Sequence, residues 1–124
     1  MNKICTLIEE SLKLIELGID VNTADMYYPN RVGGHNYPLP IECKRGLPLL
    51  SQEIYAWSLS ALLALIPDKI VVYDENYFLN FTKKSVDYKG IVTWDGQKCI
   101  SKKAENLLDA AFKMVCWLKE NKKI

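Results

Sequence analysis

The possible folds are limited chiefly by residues 69 to 100, a run that has the composition of consecutive β-strands joined by short turns. Segments 69–73 and 77–82 are rich in β-branched and aromatic residues, and the intervening Asp74-Glu75-Asn76 predicts a hairpin loop. Residues 88–94 predict a third strand. Asp95-Gly96 suits a type I′ turn that leads into a fourth strand at 97–100. The run therefore predicts an antiparallel meander of about four strands.

A helix is predicted before this run, near the N-terminus. Thr6-Leu7-Ile8-Glu9 fits a capping box, although a start near Asn2 is an alternative. Gly18 is a natural stop, because glycine tolerates the left-handed conformation that follows many helices. Apolar residues recur at helical spacing between these points, at Ile4, Leu7, Ile8, Leu12 and Ile15.

Two more helices are predicted, one on each side of the strand-rich run. The first covers residues 51–66 with Ser51 as N-cap, and it is apolar almost all round, which predicts that it is largely buried. The second covers residues 101–121 with Ser101 as N-cap. Helices segregated from strands predict an α+β fold, with three helices packed mainly on one face of the meander.

The chain of 124 residues suits a single globular domain, 1–124, that contains one irregular segment at about 19–49. Prolines and glycines interrupt this segment repeatedly. At its start, Asn22 or Thr23 could cap a single helical turn through residues 24–26, or residues 26–28 could form a short strand. About thirty residues without clear regular structure are unusual in a compact domain, so the segment is either functional or contains part of a sheet.

Membrane insertion and secretion are not expected. The longest purely apolar run is Ala61 to Ile66, whereas a membrane-spanning helix needs about 20 residues. The N-terminus reaches Glu9 and Glu10 before any long apolar stretch forms, which does not fit a secretory signal. We therefore expect a cytoplasmic protein.

No metal or cofactor is expected either. The four cysteines, Cys5, Cys43, Cys99 and Cys116, are widely spaced and form no CxxC pair, and the chain has a single histidine. Free thiols are the favoured interpretation. The chain also contains no P-loop, no GxGxxG, no HExxH and no GxSxG.

Charge is unevenly distributed, although the net charge is only +1. Residues 1–82 have ten acidic and six basic side chains, whereas residues 83–124 have five acidic and ten basic ones. Lysines of the second part, together with nearby aromatics, could form a platform for nucleic acid. We expect instead that these lysines are solvated and that nucleic acid is not the partner, since no RNP-like pattern or basic recognition helix occurs. The residues weighed for such a platform are Lys83, Lys84, Lys89, Lys98, Lys102, Lys103, Tyr77, Phe78, Phe81, Tyr88 and Trp94.

A ligand site, if the chain has one, is expected near residues 26–40. Tyrosine and arginine side chains there offer stacking area and anion contacts. His35 lies between Gly34 and Asn36 in a predicted turn, and no partner that would orient it as a general base is evident. The candidate ligand-binding residues are Tyr27, Tyr28, Arg31, His35 and Tyr37.

Three stretches, LIELGIDVNTADMYY, AWSLSALLALIP and ENLLDAAFKMVCWL, resemble segments of a group of uncharacterised small proteins from gut-bacterial and phage genomes. The resemblance implies a small α+β domain encoded by a mobile element, and it supplies no catalytic residues.

The sequence thus favours a non-enzymatic accessory or protein-interaction module whose partner is another protein or a second copy of itself. Two alternatives stay open. One is a small-molecule-binding protein or enzyme with a site near residues 26–40, and the other is nucleic-acid binding through the basic C-terminal part.

Overall fold

The computed structural model describes residues 4–29, 41–42, 53–93 and 96–124. The described residues form three α-helices, a 3-10 turn and seven strands. In chain order these elements are α1 (Ile8–Glu16), the 3-10 turn (Val21–Thr23), β1 (Met26–Tyr28), β2 (Ile41–Glu42), β3 (Ile54–Ala56), α2 (Leu59–Leu65), β4 (Lys69–Val72), β5 (Glu75–Phe81), β6 (Ser85–Thr93), β7 (Gly96–Lys103) and α3 (Leu107–Glu120).

The strands form two antiparallel sheets. The larger sheet is the meander β4-β5-β6-β7, and the smaller has the order β2-β1-β3. The prediction of an α+β fold built on a four-stranded antiparallel meander is confirmed. Within the segment predicted to be irregular, the alternative of a short strand at 26–28 is also confirmed. The helical turn lies at Val21–Thr23 rather than at 24–26, because the Asp20 carboxylate accepts a hydrogen bond from the Asn22 N–H.

Helix α2 is shorter than the sequence predicts. The predicted helix over 51–66 is wrong at its start, because Ile54–Ala56 pairs with β1 as strand β3. The helix begins at Leu59, and the Ser58 hydroxyl accepts a hydrogen bond from the Ala61 N–H as its N-cap. The Ser58 side chain and backbone N–H in turn donate to the Asp25 carboxylate, which ties the helix to the end of the 3-10 segment.

The starts of α1 and α3 also differ from the prediction. Helix α1 is capped at Leu7, whose N–H donates to the Glu10 carboxylate. The predicted capping box at Thr6 is wrong, because the Thr6 hydroxyl accepts instead from the backbone N–H of Trp57, 3.0 Å away. Ser101 is not a helix cap, since it lies within β7. The N-cap of α3 is Asn106, whose side chain accepts from the Asp109 N–H.

The first hairpin of the meander closes on two residues. Tyr73 and Asp74 have φ values of 49° and 64°, as a type I′ turn requires. Glu75 and Asn76, predicted as loop residues, instead pair with Val72 and Val71. At the other end of the meander, Thr93 pairs with Gly96, while Trp94 and Asp95 lie outside the described residues.

All three helices contribute to one core against what we call the inner face of the meander. Leu14 of α1, Leu62 of α2 and Met114 of α3 belong to the same buried cluster as Tyr77 and Tyr88 of the sheet. This arrangement agrees with the predicted packing of the helices mainly on one face. A smaller cluster of Cys5, Tyr28 and Ala56 lies beside the three-stranded sheet.

Candidate functional site

The face of the meander opposite the core, the outer face, exposes large apolar side chains. Successive strand residues point to opposite faces, so Phe78 points outward between the inward-facing Tyr77 and Leu79. Phe78 is 57% exposed and Val71, on the neighbouring strand, is 48% exposed. Phe78 and Val71 belong to neither hydrophobic cluster of the described fold, which singles out this face as a candidate interaction surface.

Lysines flank Phe78 on both sides. The strand register places Phe78 directly opposite Lys69 of β4 and directly opposite Lys89 of β6. Lys89 in turn lies opposite Cys99 of β7. Directly opposite side chains are about 5 Å apart at their Cβ atoms, so these four residues form one continuous row across the sheet. We call Lys69, Phe78, Lys89 and Cys99 the Phe78 row.

A buried carboxylate lies beside this row. Asp87 lies two residues before Lys89 on β6, and therefore also on the outer face, and it is 8% exposed. Its oxygens accept hydrogen bonds from the hydroxyls of Ser85 and Ser101. Because these hydroxyls satisfy it, Asp87 is best understood as a fixed polar anchor between β6 and β7.

The thiol in the Phe78 row is not set up as a nucleophile. Burial, and then the Asp87 carboxylate, raise the pKa of Cys99 above its ordinary value, while Lys89 and Lys103 oppose this effect. A cysteine of this kind stays protonated at neutral pH, whereas nucleophilic catalysis needs the thiolate. The chemistry available in the row is therefore apolar contact and positive charge.

The aromatic residues weighed for nucleic acid divide between the two faces. Tyr77 and Tyr88 are buried on the inner face, and the Tyr88 hydroxyl donates to the Pro67 carbonyl oxygen. Burial raises the pKa of Tyr88 above its ordinary value. Phe78 and Phe81 are exposed, and Trp94 lies outside the described residues.

Two of the five predicted ligand-binding residues are described. Tyr28 is buried, and its hydroxyl donates to the Thr6 carbonyl oxygen at 2.9 Å and lies 3.7 Å from the Cys5 sulfur. Burial, followed by the bond to Cys5, raises its pKa. Tyr27 is partly buried on β1, where it pairs with Ile41 and Tyr55.

The other three, Arg31, His35 and Tyr37, lie outside the described residues. The ligand site near residues 26–40 therefore stays a prediction. In the described ranges, no three His, Cys, Asp or Glu side chains come together as a possible set of metal ligands.

Comparison with known proteins adds no relative. No family model, curated protein or solved structure matches the chain. Among the helices that the structure describes, none has the length and apolar character needed to cross a bilayer.

Proposed function

We propose that this chain is a small cytoplasmic accessory protein, encoded by a phage or another mobile element, that acts by binding another protein and not by catalysis. The observation that supports this function is Phe78, exposed in the sheet between Lys69 and Lys89. Aromatic side chains surrounded by polar groups are the usual energetic centres of protein interfaces.

The charges around Phe78 indicate the chemistry of the partner. A surface that is apolar at its centre and acidic at its rim would cover Phe78 and Val71 and pair with Lys69 and Lys89. A second copy docked face to face fits less well, because the lysines that flank Phe78 in one copy would approach those of the other. Single-stranded nucleic acid also fits less well, since stacking of successive bases needs several exposed aromatics rather than one beside a buried carboxylate.

The proposal is tested by capture of a partner with three forms of the purified chain. The wild-type chain should capture a protein from lysate. We expect that neither Phe78→Ser nor the charge reversal Lys69→Glu/Lys89→Glu captures this protein. Loss of an aromatic interface centre costs about 2 kcal/mol or more, which corresponds to roughly 30-fold weaker binding. Because Phe78 is exposed, its replacement should leave the thermal midpoint of unfolding nearly unchanged.

Phe81→Ser is the matched control. Phe81 is similarly exposed, but it lies at the end of β5, where it pairs with Val86, and strand alternation puts it on the face opposite Phe78. This variant should capture the same protein as the wild type. Equal capture by Phe78→Ser would contradict the proposal. The proposal would also be contradicted if light scattering showed a dimer that Phe78→Ser dissociates. Binding of single-stranded oligonucleotides that Phe78→Ser weakens would contradict it as well.

A further inference from the structure

A groove separate from the Phe78 row lies between α1, α3 and the edge strand β7. It has a cavity volume of about 340 Å³, and its walls include Lys13 of α1, Lys102 of β7 and Lys113 of α3. Pockets of this size accommodate small organic molecules. The consecutive elements β7 and α3, together with the sequence-distant helix α1, thus each contribute a lysine to one concave surface.

Positive charge predominates in this groove. Glu120 is the one acidic residue among the described side chains that line it. The Lys113 ammonium donates to the Lys103 carbonyl oxygen at 3.0 Å, which fixes its position beside β7. Among the described residues, Lys13 and Lys102 make no ion pair, so their charges are available to an incoming anion.

Apart from the lysines and Glu120, the described side chains that line the groove are apolar, and two of them are aromatic. Phe112 and Trp117 are partly buried and pack against the main core, and they are five residues apart on α3. Cys116, which lies between them in sequence, is partly buried, and burial followed by the Glu120 carboxylate raises the pKa of its thiol to about 11. A ligand can therefore place an apolar body against α3 while its charge remains near the lysines.

We propose that this groove binds a small organic anion with a flat apolar body, of the class of aryl phosphates and aromatic carboxylates. An inorganic anion uses the lysines but leaves Phe112 and Trp117 uncovered. A neutral aromatic molecule covers those rings but places lysines at its edge without a partner, and an organic cation is repelled. The inference does not depend on the protein-binding function, because it involves neither Phe78 nor the outer face.

The test uses phenyl phosphate, inorganic phosphate and benzylamine as probes of the full chain, with binding followed by amide NMR shifts. Phenyl phosphate should shift the signals of Lys13, Lys102 and residues 112–117 in a saturable way. Inorganic phosphate should bind more weakly by about tenfold or more, since it buries no apolar surface. Benzylamine, which has a similar ring and the opposite charge, should produce no saturable shift at these positions.

The variant Lys13→Gln/Lys102→Gln should weaken phenyl phosphate binding by about tenfold, because it removes the two lysines without ion pairs. Lys113 is left intact since it also bonds to the backbone of β7. Lys69→Gln/Lys89→Gln, on the outer face, is the control of equal charge change, and both it and Phe78→Ser should bind phenyl phosphate as the wild type does. Equal affinity for benzylamine, or an unchanged affinity of the double variant, would overturn the proposal.

Alkylation provides a second readout. Phenyl phosphate should slow the reaction of Cys116 with iodoacetamide at about pH 9, where a thiol of raised pKa reacts measurably. Cys99, on the outer face, is the internal reference and should react at the same rate with and without phenyl phosphate. Equal protection of both cysteines, or protection of neither, would contradict a site in the groove.

Discussion

At the scale of single residues, Gly90 shows how closely the inner face of the meander is packed. Glycine weakens a strand, so its presence inside β6 needs a reason. The Tyr77 ring lies over Gly90, and a Cβ atom added there would be 3.0, 3.1 and 3.2 Å from three ring carbons. Because Tyr77 is buried, its ring has little room to move aside.

Gly90→Ala should therefore lower the free energy of unfolding by about 1–3 kcal/mol, as overpacking does in well-packed cores. Strand preference alone predicts the opposite sign, since alanine is favoured over glycine by about 0.5–1 kcal/mol. Urea unfolding measures the difference. In a Tyr77→Leu background the same substitution should cost less, and an equal cost in both backgrounds would show that the ring is not the cause.

The outward direction of Phe78 could be predicted from the sequence, but its neighbours could not. Alternation along β5 separates it from Tyr77 and Leu79. Its pairing with Lys69 depends on the turn at Tyr73 and Asp74. A loop at Asp74-Glu75-Asn76, as the sequence predicts, would shift the register and place other residues opposite Phe78. The Phe78 row therefore does not follow from the sequence.

At the scale of elements, the strands of the meander were predictable, whereas strands β2 and β3 and the helix starts were not. Both α2 and α3 begin later than predicted, because residues that suit a helix join a strand instead. Residues 54–56 pair with β1, nearly thirty positions earlier in the chain, and β7 continues to Lys103. Helical periodicity is local information, whereas these pairings are long-range, and this is why the helical pattern around 51–57 was misleading.

The start of α2 can be tested with two serines of the same segment. Ser58→Ala should lower the free energy of unfolding by about 1–2 kcal/mol, because it removes the N-cap and the hydroxyl bond to Asp25. Ser60→Ala, at an exposed position inside the helix, should be neutral or slightly stabilising. Chemical denaturation of both variants measures this. Equal effects would mean that the helix does not begin at this point.

At the scale of the whole molecule, two buried tyrosines couple the stability of the fold to alkaline pH. Tyr28 lies in the smaller cluster and Tyr88 in the main core, and both hydroxyls donate to backbone carbonyl oxygens. Burial raises the pKa of each. In the unfolded chain a tyrosine loses its proton near pH 10, so above that pH the unfolded state is favoured progressively while the folded tyrosines remain protonated.

The free energy of unfolding should therefore fall as the pH rises above about 10, and it should fall less steeply in Tyr28→Phe/Tyr88→Phe. Urea unfolding between about pH 8 and pH 11 measures both slopes. Tyr73→Phe, at the exposed hairpin tip, should have the slope of the wild type. If the double variant also keeps that slope, the buried tyrosines are not responsible for it.

The connectivity of the two sheets has a consequence for the order in which the chain folds. The meander is assembled from neighbours in sequence, since Val72 pairs with Glu75 and Thr93 with Gly96. The small sheet must instead close a long loop to bring Met26 to Ala56. Short loops close sooner and at a lower cost in chain entropy. Residues 69 to 103 should thus form the folding nucleus, onto which the N-terminal part of the chain docks late.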